Sequence, residues 1–172
     1  VVETMRQRVP WLAVNILTAL VSASVIAFFE DAIARLVALA VLMPIVASMG
    51  GNAATQTLTV AVRGLATKSL TRTNALRIVR RELAVGLGNG LLFGLALAGV
   101  TYVWFRDPKL SLVIAMAMVV NLFVAALGGI LIPLGLEKAG ADPALASGTF
   151  VTTVTDVVGF FTFLGLAAVI LL

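Results

Sequence analysis

The sequence predicts an all-α polytopic membrane protein with five transmembrane helices per chain. Two observations support this class: hydrophobic residues make up 61% of the 172 residues, and the mean hydropathy is +1.13. Several apolar runs exceed the roughly 18 residues that a helix needs to span a bilayer. The short alternating segments typical of outer-membrane β-strands do not occur in the sequence. The lipid bilayer is therefore the first partner that the sequence implies.

The apolar runs define five predicted spans, in chain order 11–29, 32–62, 83–105, 110–136 and 143–172. Lys and Arg in the connections indicate their orientation, because cytoplasmic loops carry an excess of these cations. Nine of the 12 Lys and Arg residues lie on one side of the predicted bundle, and three lie on the other: Arg35, Arg106 and Lys109. We therefore expect a cytoplasmic N-terminus and a C-terminus on the outer side of the membrane.

The residue types present exclude several classes of site. The sequence contains no Cys and no His, so thiolate and imidazole ligands for metals are excluded. A His-based serine protease is excluded for the same reason, and the spans hold only Asp156 where an aspartic protease needs two carboxylates. We expect no enzyme activity, and any bound metal must take oxygen ligands. Because the sequence starts with Val1, we also expect a membrane domain cut from a longer protein.

The second span is predicted to be kinked or broken. As one straight helix, residues 32–62 would be about 46 Å long, against a hydrocarbon core of about 30 Å. Pro44 and the pair Gly50–Gly51 offer a place to interrupt the helix. Asn52 and Gln56 follow, four residues apart and thus on one face. Interrupted helices at membrane depth are typical of ion sites, and a purely structural kink with interhelical amide hydrogen bonds is the alternative.

The third span repeats glycine at intervals of four residues, at Gly86, Gly90 and Gly94. These glycines share one helix face, so the sequence predicts that another backbone approaches closely there. The connection 63–82 before this span holds six of the Lys and Arg residues. That density is typical of a cytoplasmic loop, and a docking surface for a cytosolic domain or for anionic lipid heads is the alternative.

The fifth span contains one carboxylate, Asp156, about halfway along its length. A charge in hydrocarbon costs at least about 3 kcal/mol, and an aspartate is too short to reach the interface. Thr149 and Thr152 precede Asp156 by seven and four residues and Gly159 follows it by three, so all four share one helix face. Three interpretations remain open: a protonated aspartate bonded to another helix, a proton relay, or a cation site.

The available ligands favour a hard cation such as Mg²⁺, because soft metals prefer Cys, His or Met. Mg²⁺ gives up its water reluctantly, so a ring of carboxylate, amide, hydroxyl and carbonyl oxygens would suit the hydrated ion. One carboxylate carries only one negative charge, which balances half of the charge of a divalent ion. A two-fold homodimer, the commonest assembly, would bring two copies of Asp156 to an axial path.

Two motifs make the sequence resemble the membrane domain of the MgtE magnesium channels, which are distantly similar to the SLC41 solute carriers. The first motif is PIVASMGGNAATQT, in which Pro44, Gly51, Asn52 and Gln56 follow the pattern P-x6-G-N-x3-Q. The second is FVTTVTDVVGFF, which contains D-x-x-G starting at Asp156. The resemblance covers essentially the whole chain, including the five spans and the basic connection.

The resemblance implies a homodimeric Mg²⁺-selective channel of the cell inner membrane, with a periplasmic or extracellular C-terminus. The second and fifth helices of both subunits would line a pore at the subunit interface, where Asp156 would bind Mg²⁺ mainly through the hydration shell of the ion. The predicted pore-lining residues are Gly51, Asn52, Gln56, Thr149, Thr152 and Gly159.

The resemblance also implies cytosolic regulatory domains. Full-length members carry an N-terminal domain and paired CBS domains, which sense Mg²⁺ and close the pore through a connecting helix. Residues 1–10 would be the end of that helix, and residues 11–172 would be the five-span channel domain. No nucleic-acid partner is expected. The alternative function is a proton- or sodium-coupled divalent-cation carrier that uses Asp156 as its titrating group.

Overall fold

The computed structural model describes residues 2–70, 74–140 and 142–172. These residues form helices only, which confirms the predicted all-α class, and five of the helices are long and apolar enough to cross a membrane. The helices, in chain order, are α1 (Val2–Phe28), α2 (Glu30–Arg35), α3 (Ala38–Ala66), α4 (Ala75–Phe105), α5 (Pro108–Lys138) and α6 (Pro143–Ile170).

The first span belongs to a helix that begins at Val2, well before the predicted start of the span. Helix α1 packs mainly against α6. Large apolar side chains are exposed along most of its length, including Leu12, Leu17 and Phe28. Because lipid tails are as apolar as these side chains, such a surface is suited to a bilayer.

The second span differs from the prediction in two respects. It begins at Ala38 rather than residue 32, because residues 30–35 form the separate short helix α2. The backbone of Leu36, directly after α2, is extended (φ −135°, ψ 89°). The predicted break near Pro44 is not present: α3 runs without interruption through Pro44 and through Gly50–Gly51. Proline in a membrane helix removes one donor, and neighbouring helices can hold the segment helical around it. A kink at Pro44 stays a prediction.

The predicted basic connection is shorter than the sequence suggested. Helix α3 continues to Ala66 and α4 begins at Ala75. Arg77, Arg80 and Arg81 therefore lie in the first two turns of α4 rather than in a loop, and Arg72 lies outside the described residues.

The predicted close approach at the glycines of α4 is confirmed, and the partner helix is α5. A β-carbon on Gly90 would lie 2.9 Å from Val119 Cα, and one on Gly94 would lie 2.9 Å from the carbonyl oxygen of Ala115. Because these neighbours are backbone atoms, they cannot rotate away. Glycine at these positions allows the two helix backbones to pack directly against each other.

Helix α5 is the centre of the fold and packs against α3, α4 and α6. Its start is fixed by Asp107, whose side chain accepts hydrogen bonds from the backbone N–H groups of Lys109 (2.9 Å) and Leu110 (3.1 Å). Asp142 caps α6 in the same way through the N–H of Ala144 (2.9 Å). Each cap is followed by proline at the first helical position, where its missing N–H costs nothing. Asp107 is thus accounted for as a helix cap.

Replacing Gly90 by alanine tests the contact between α4 and α5. The added methyl group would force the Val119 backbone to move, and overpacking of this kind costs about 1–3 kcal/mol. Gly88→Ala is the matched control, because a β-carbon at Gly88 meets no atom within 4 Å. We expect Gly90→Ala to lower the Tm in detergent and Gly88→Ala to leave it unchanged or raise it. Equal Tm values for the two variants would contradict the contact.

Candidate functional site

A stripe of exposed polar side chains runs along helix α3. Its members, which we call the α3 polar stripe, recur at helical spacing on one face: Ser48, Asn52, Thr55, Gln56 and Thr59. Hydroxyl and amide groups turned toward lipid tails would lose hydrogen bonds to water without compensation. The stripe is therefore suited to a water-filled path or to a protein partner rather than to lipid.

The hydrogen bonds of the two threonines in the α3 polar stripe leave their hydroxyl oxygens free to accept. Thr55 Oγ1 donates to the carbonyl oxygen of Gly51 and Thr59 Oγ1 to that of Thr55, both at 2.8 Å. Asn52 Nδ2 is 3.4 Å from Ser48 Oγ, to which it donates. Each threonine hydroxyl has used its single proton in this way, and its lone pairs remain. The exposed surface of α3 is consequently rich in acceptors.

Asp156 is the fourteenth residue of the 28-residue helix α6, which places the carboxylate near the middle of the span, as predicted. Its side chain is half-buried. Among the residues that the structure describes, none donates a hydrogen bond to this carboxylate or forms an ion pair with it. A carboxylate at membrane depth without a protein partner needs water, a proton or a cation to compensate it.

The two threonines that precede Asp156 on its face are also half-buried. Thr152 Oγ1 donates to the carbonyl oxygens of Gly148 (3.0 Å) and Thr149 (3.2 Å). Its proton is therefore directed at the backbone of α6, and its lone pairs face away from the helix. Thr149 and Thr152 extend the supply of acceptor oxygens from Asp156 toward the start of α6.

The predicted residues of α3 and α6 meet at one point. A β-carbon on Gly51 would lie 3.9 Å from Thr152 Cγ2, which is ordinary van der Waals contact. Helices α3 and α6 are therefore in contact at this level, where Gly51 of α3, the neighbour of Asn52, lies against Thr152 of α6. Gln56 lies one turn further along the α3 polar stripe and also lines a cleft of about 190 Å³, which it shares with Glu82 and Asn89 of α4.

Gly159 lies apart from the other predicted site residues. It is buried, and a β-carbon there would lie 2.8 Å from Asn121 Nδ2 and 3.0 Å from Asn121 Cγ. An amide group from α5 thus lies directly against Gly159. In this chain Gly159 permits a close contact between helices and does not share the half-exposed face of Thr149, Thr152 and Asp156.

Asn121 is a polar residue that the sequence reasoning missed. Its side chain has 0% exposure, and its Nδ2 donates to the carbonyl oxygen of Val46 on α3 at 2.9 Å. Its Oδ1 has no partner among the described residues, and an unsatisfied buried acceptor costs about 1–3 kcal/mol. The available signal was a single amide within the otherwise apolar stretch 112–127 of the fourth span.

The site offers few direct ligands for a metal ion. The described residues contain no group of three or more Asp, Glu, His or Cys side chains that could enclose an ion. A site formed by one copy of the chain would therefore combine the Asp156 carboxylate with neutral oxygen acceptors and with water. This donor set fits a hard, hydrated cation.

Comparison with known proteins places this arrangement in a family. The profile of the MgtE family, described as a divalent cation transporter, matches residues 43–166. Three curated relatives are each named magnesium transporter MgtE. The protein of Bacillus subtilis is 35% identical over 94% of this chain, that of Enterococcus faecalis is 38% identical over 94%, and that of Thermus thermophilus is 37% identical over 95%.

The chain spans 36% of the length of each of these relatives. The family match includes most of α3, all of α4 and α5, and α6 as far as Leu166, so it contains both helices of the candidate site. Together, the profile match and the identities above 30% over nearly the whole chain show that this chain belongs to the MgtE family of divalent cation transporters.

Proposed function

We propose that this chain is the membrane domain of a Mg²⁺-selective channel of the inner membrane, in which Asp156 of two subunits holds the ion. The observation that carries the proposal is the half-buried Asp156 carboxylate, which has no protein partner among the described residues and lies on a helix that adjoins the α3 polar stripe. The three relatives are named magnesium transporters, which supports Mg²⁺ as the transported ion.

The orientation of the hydroxyl groups favours a hydrated ion. The water molecules around Mg²⁺ direct their hydrogens outward, so they are donors. Thr55 and Thr59 of the α3 polar stripe and Thr152 of α6 offer acceptors, because their own hydroxyl protons are bonded to backbone carbonyls. Mg²⁺ keeps several waters in most protein sites. Contacts through the hydration shell would therefore satisfy both the ion and the side chains.

A homodimer follows from the charge and from the exposed face. A single Asp156 balances half of a divalent charge, whereas two copies related by a two-fold axis balance all of it. A second copy would also enclose the α3 polar stripe, which is exposed in one chain. In the proposed dimer the pore runs between the subunits, with α3 and α6 of each copy at its wall, and the two-fold arrangement is the commonest form of homo-oligomer.

The cytosolic part of the proposed channel would connect through α1. This helix is continuous from Val2 to Phe28, so residues 2–10 already extend the first span as helix. We infer that residues 1–10 are the end of a connecting helix. We also infer that the N-terminus is cytoplasmic and that the C-terminus is periplasmic or extracellular. Regulatory domains that sense cytosolic Mg²⁺ would lie in the remaining length of the protein, since the relatives are longer than this chain.

Removing the charge of Asp156 tests the proposal directly. We expect Asp156→Asn to reduce Mg²⁺ uptake by about 10- to 100-fold, which corresponds to losing a charge-assisted interaction of about 1.5–3 kcal/mol. Uptake would be measured in a strain that lacks its own Mg²⁺ transport, at matched membrane expression. Asp107→Asn is the control, because asparagine also caps helices and Asp107 lies between two spans. Wild-type uptake by Asp156→Asn would refute the proposed ion site.

Cysteine cross-linking tests the homodimer, and the chain has no native cysteine to interfere. We expect Ser48→Cys, on the α3 polar stripe, to give covalent dimers in membranes with bifunctional thiol reagents of graded length. Leu95→Cys, which is exposed on α4, is the matched control and should remain monomeric. If Ser48→Cys yields only monomers at every reagent length, the pore cannot lie between two copies of α3.

Electrical recording separates a channel from an ion-coupled carrier. The proposed pore should give discrete unitary Mg²⁺ currents in a planar bilayer, and those currents should disappear with Asp156→Asn. A carrier that uses Asp156 as its titrating group would instead give Mg²⁺ flux that depends on a proton or sodium gradient, without unitary events. Gradient-dependent flux without unitary currents would therefore refute the channel and support the carrier.

A further inference from the structure

An amide from the central helix lies between the two helices of the proposed pore wall. Asn121 is on α5 and is completely buried. A β-carbon on Gly50 of α3 would collide with its Nδ2 and lie 2.9 Å from its Cγ, and one on Gly159 of α6 would lie 3.0 Å from the same Cγ. The amide group therefore occupies the space that one glycine on each neighbouring helix leaves open.

The position of this amide is fixed by a hydrogen bond. Nδ2 donates to the carbonyl oxygen of Val46 at 2.9 Å, and only the nitrogen end of the amide can donate to a carbonyl. This sets the orientation of the side chain and leaves Oδ1 buried without a partner among the described residues. Removing Asn121 takes away this unsatisfied acceptor, and the Val46 carbonyl, which lies inside the continuous helix α3, still accepts a hydrogen bond from its own helix. Stability alone therefore does not account for asparagine at this position.

The two glycines place Asn121 next to the proposed ion site. Gly50 directly precedes Gly51 and Asn52 on α3, and Gly159 is one helical turn beyond Asp156 on α6. The thickness of the Asn121 side chain thus determines how closely α3 and α6 approach at the depth of the carboxylate. Its bond to Val46 in addition holds α3 at a defined position along α5.

We propose that Asn121 is a positioning residue that sets the separation of α3 and α6 and thereby the preference for hydrated Mg²⁺ over Ca²⁺. This inference rests on the proposed function of Asp156. Mg²⁺ loses water reluctantly and binds with near-ideal octahedral geometry, whereas Ca²⁺ accepts six to eight ligands in a flexible arrangement. A fixed separation favours the rigid hydrated ion, and a variable one lets the acceptors adapt to Ca²⁺. Asn121 acts in this way without contacting the ion.

The test compares Mg²⁺ and Ca²⁺ uptake by the purified protein in liposomes. Asn121→Leu preserves the approximate shape of the side chain and removes the hydrogen bond to Val46. We expect a folded protein with wild-type or higher Tm whose Mg²⁺ to Ca²⁺ uptake ratio falls by about fivefold or more, a typical size for coupling between sites. Gly135→Ala, on the same helix and with no atom within 4 Å of the added carbon, is the control and should keep the wild-type ratio.

A second variant keeps the test decisive if Asn121→Leu does not fold. Gly159→Ala pushes a methyl group against the Asn121 amide and should lower the uptake ratio in the same direction. A wild-type ratio in the folded Asn121→Leu protein, or in Gly159→Ala when Asn121→Leu is unfolded, would overturn the role of Asn121.

Parallel measurement of Asp156→Asn separates this inference from the proposed function. If Asp156→Asn transports Mg²⁺ normally, the proposed ion site fails and the role of Asn121 fails with it. If Asp156→Asn is inactive and the Asn121→Leu ratio is unchanged, only the positioning role fails.

Discussion

The cost of leaving a polar group in hydrocarbon constrains every part of this structure. Backbone groups meet it by forming long helices, in which each N–H is bonded within its own segment. Threonine hydroxyls of α3 and α6 meet it by donating to carbonyl oxygens one turn earlier. The Asp156 carboxylate and the exposed acceptors of the α3 polar stripe are not compensated in this way. These groups of α3 and α6 therefore still need hydrogen-bond donors or a cation.

Helix α5 holds these two helices in place through direct backbone contacts. A β-carbon on Gly129 would lie 2.7 Å from the carbonyl oxygen of Ala54, so α5 and α3 touch at that level. Gly90 and Gly94 bring the backbone of α4 similarly close to that of α5. Close-packed interiors transmit small displacements because few voids absorb them. The geometry of the proposed ion site consequently depends on an apolar helix that contributes no ligand to it.

The sequence predicted those features that depend on local pattern. Five apolar runs gave the number of spans, the four-residue spacing of Gly86, Gly90 and Gly94 gave a close helix contact, and Asp156 was found as the only carboxylate within a span. A break at Pro44 is not present, because α3 continues through this residue, and neighbouring helices can hold such a segment helical. A kink there stays a prediction. The actual interruption, at Leu36, has no glycine or proline to signal it.

Asn121 could not be assigned from the sequence for a different reason. The role of a lone amide in an apolar helix depends on which groups of other helices face it, here the Val46 carbonyl and two glycines that are distant in the chain. Gly159 illustrates the same limit. Its spacing from Asp156 placed it on the face of the carboxylate. Side chains three residues apart on a helix, however, still differ in direction by about 60° around the helix axis. That rotation is enough to turn Gly159 toward α5 while Asp156 remains half-exposed.

The proposed channel must also release its ion, and the residues of the candidate site are compatible with that requirement. An ion must bind well enough to enter a pore and weakly enough to leave it. A cage of several carboxylates would retain a divalent ion, whereas the proposed dimer offers two, with neutral oxygens around them. The hydroxyls of Thr55, Thr59 and Thr152 donate to backbone carbonyls, so their lone pairs are suited to the outward-facing hydrogens of a hydrated cation. In the proposed channel, selectivity would depend on the shape of the hydration shell, and a rigid separation of α3 and α6 would allow that shape to be distinguished.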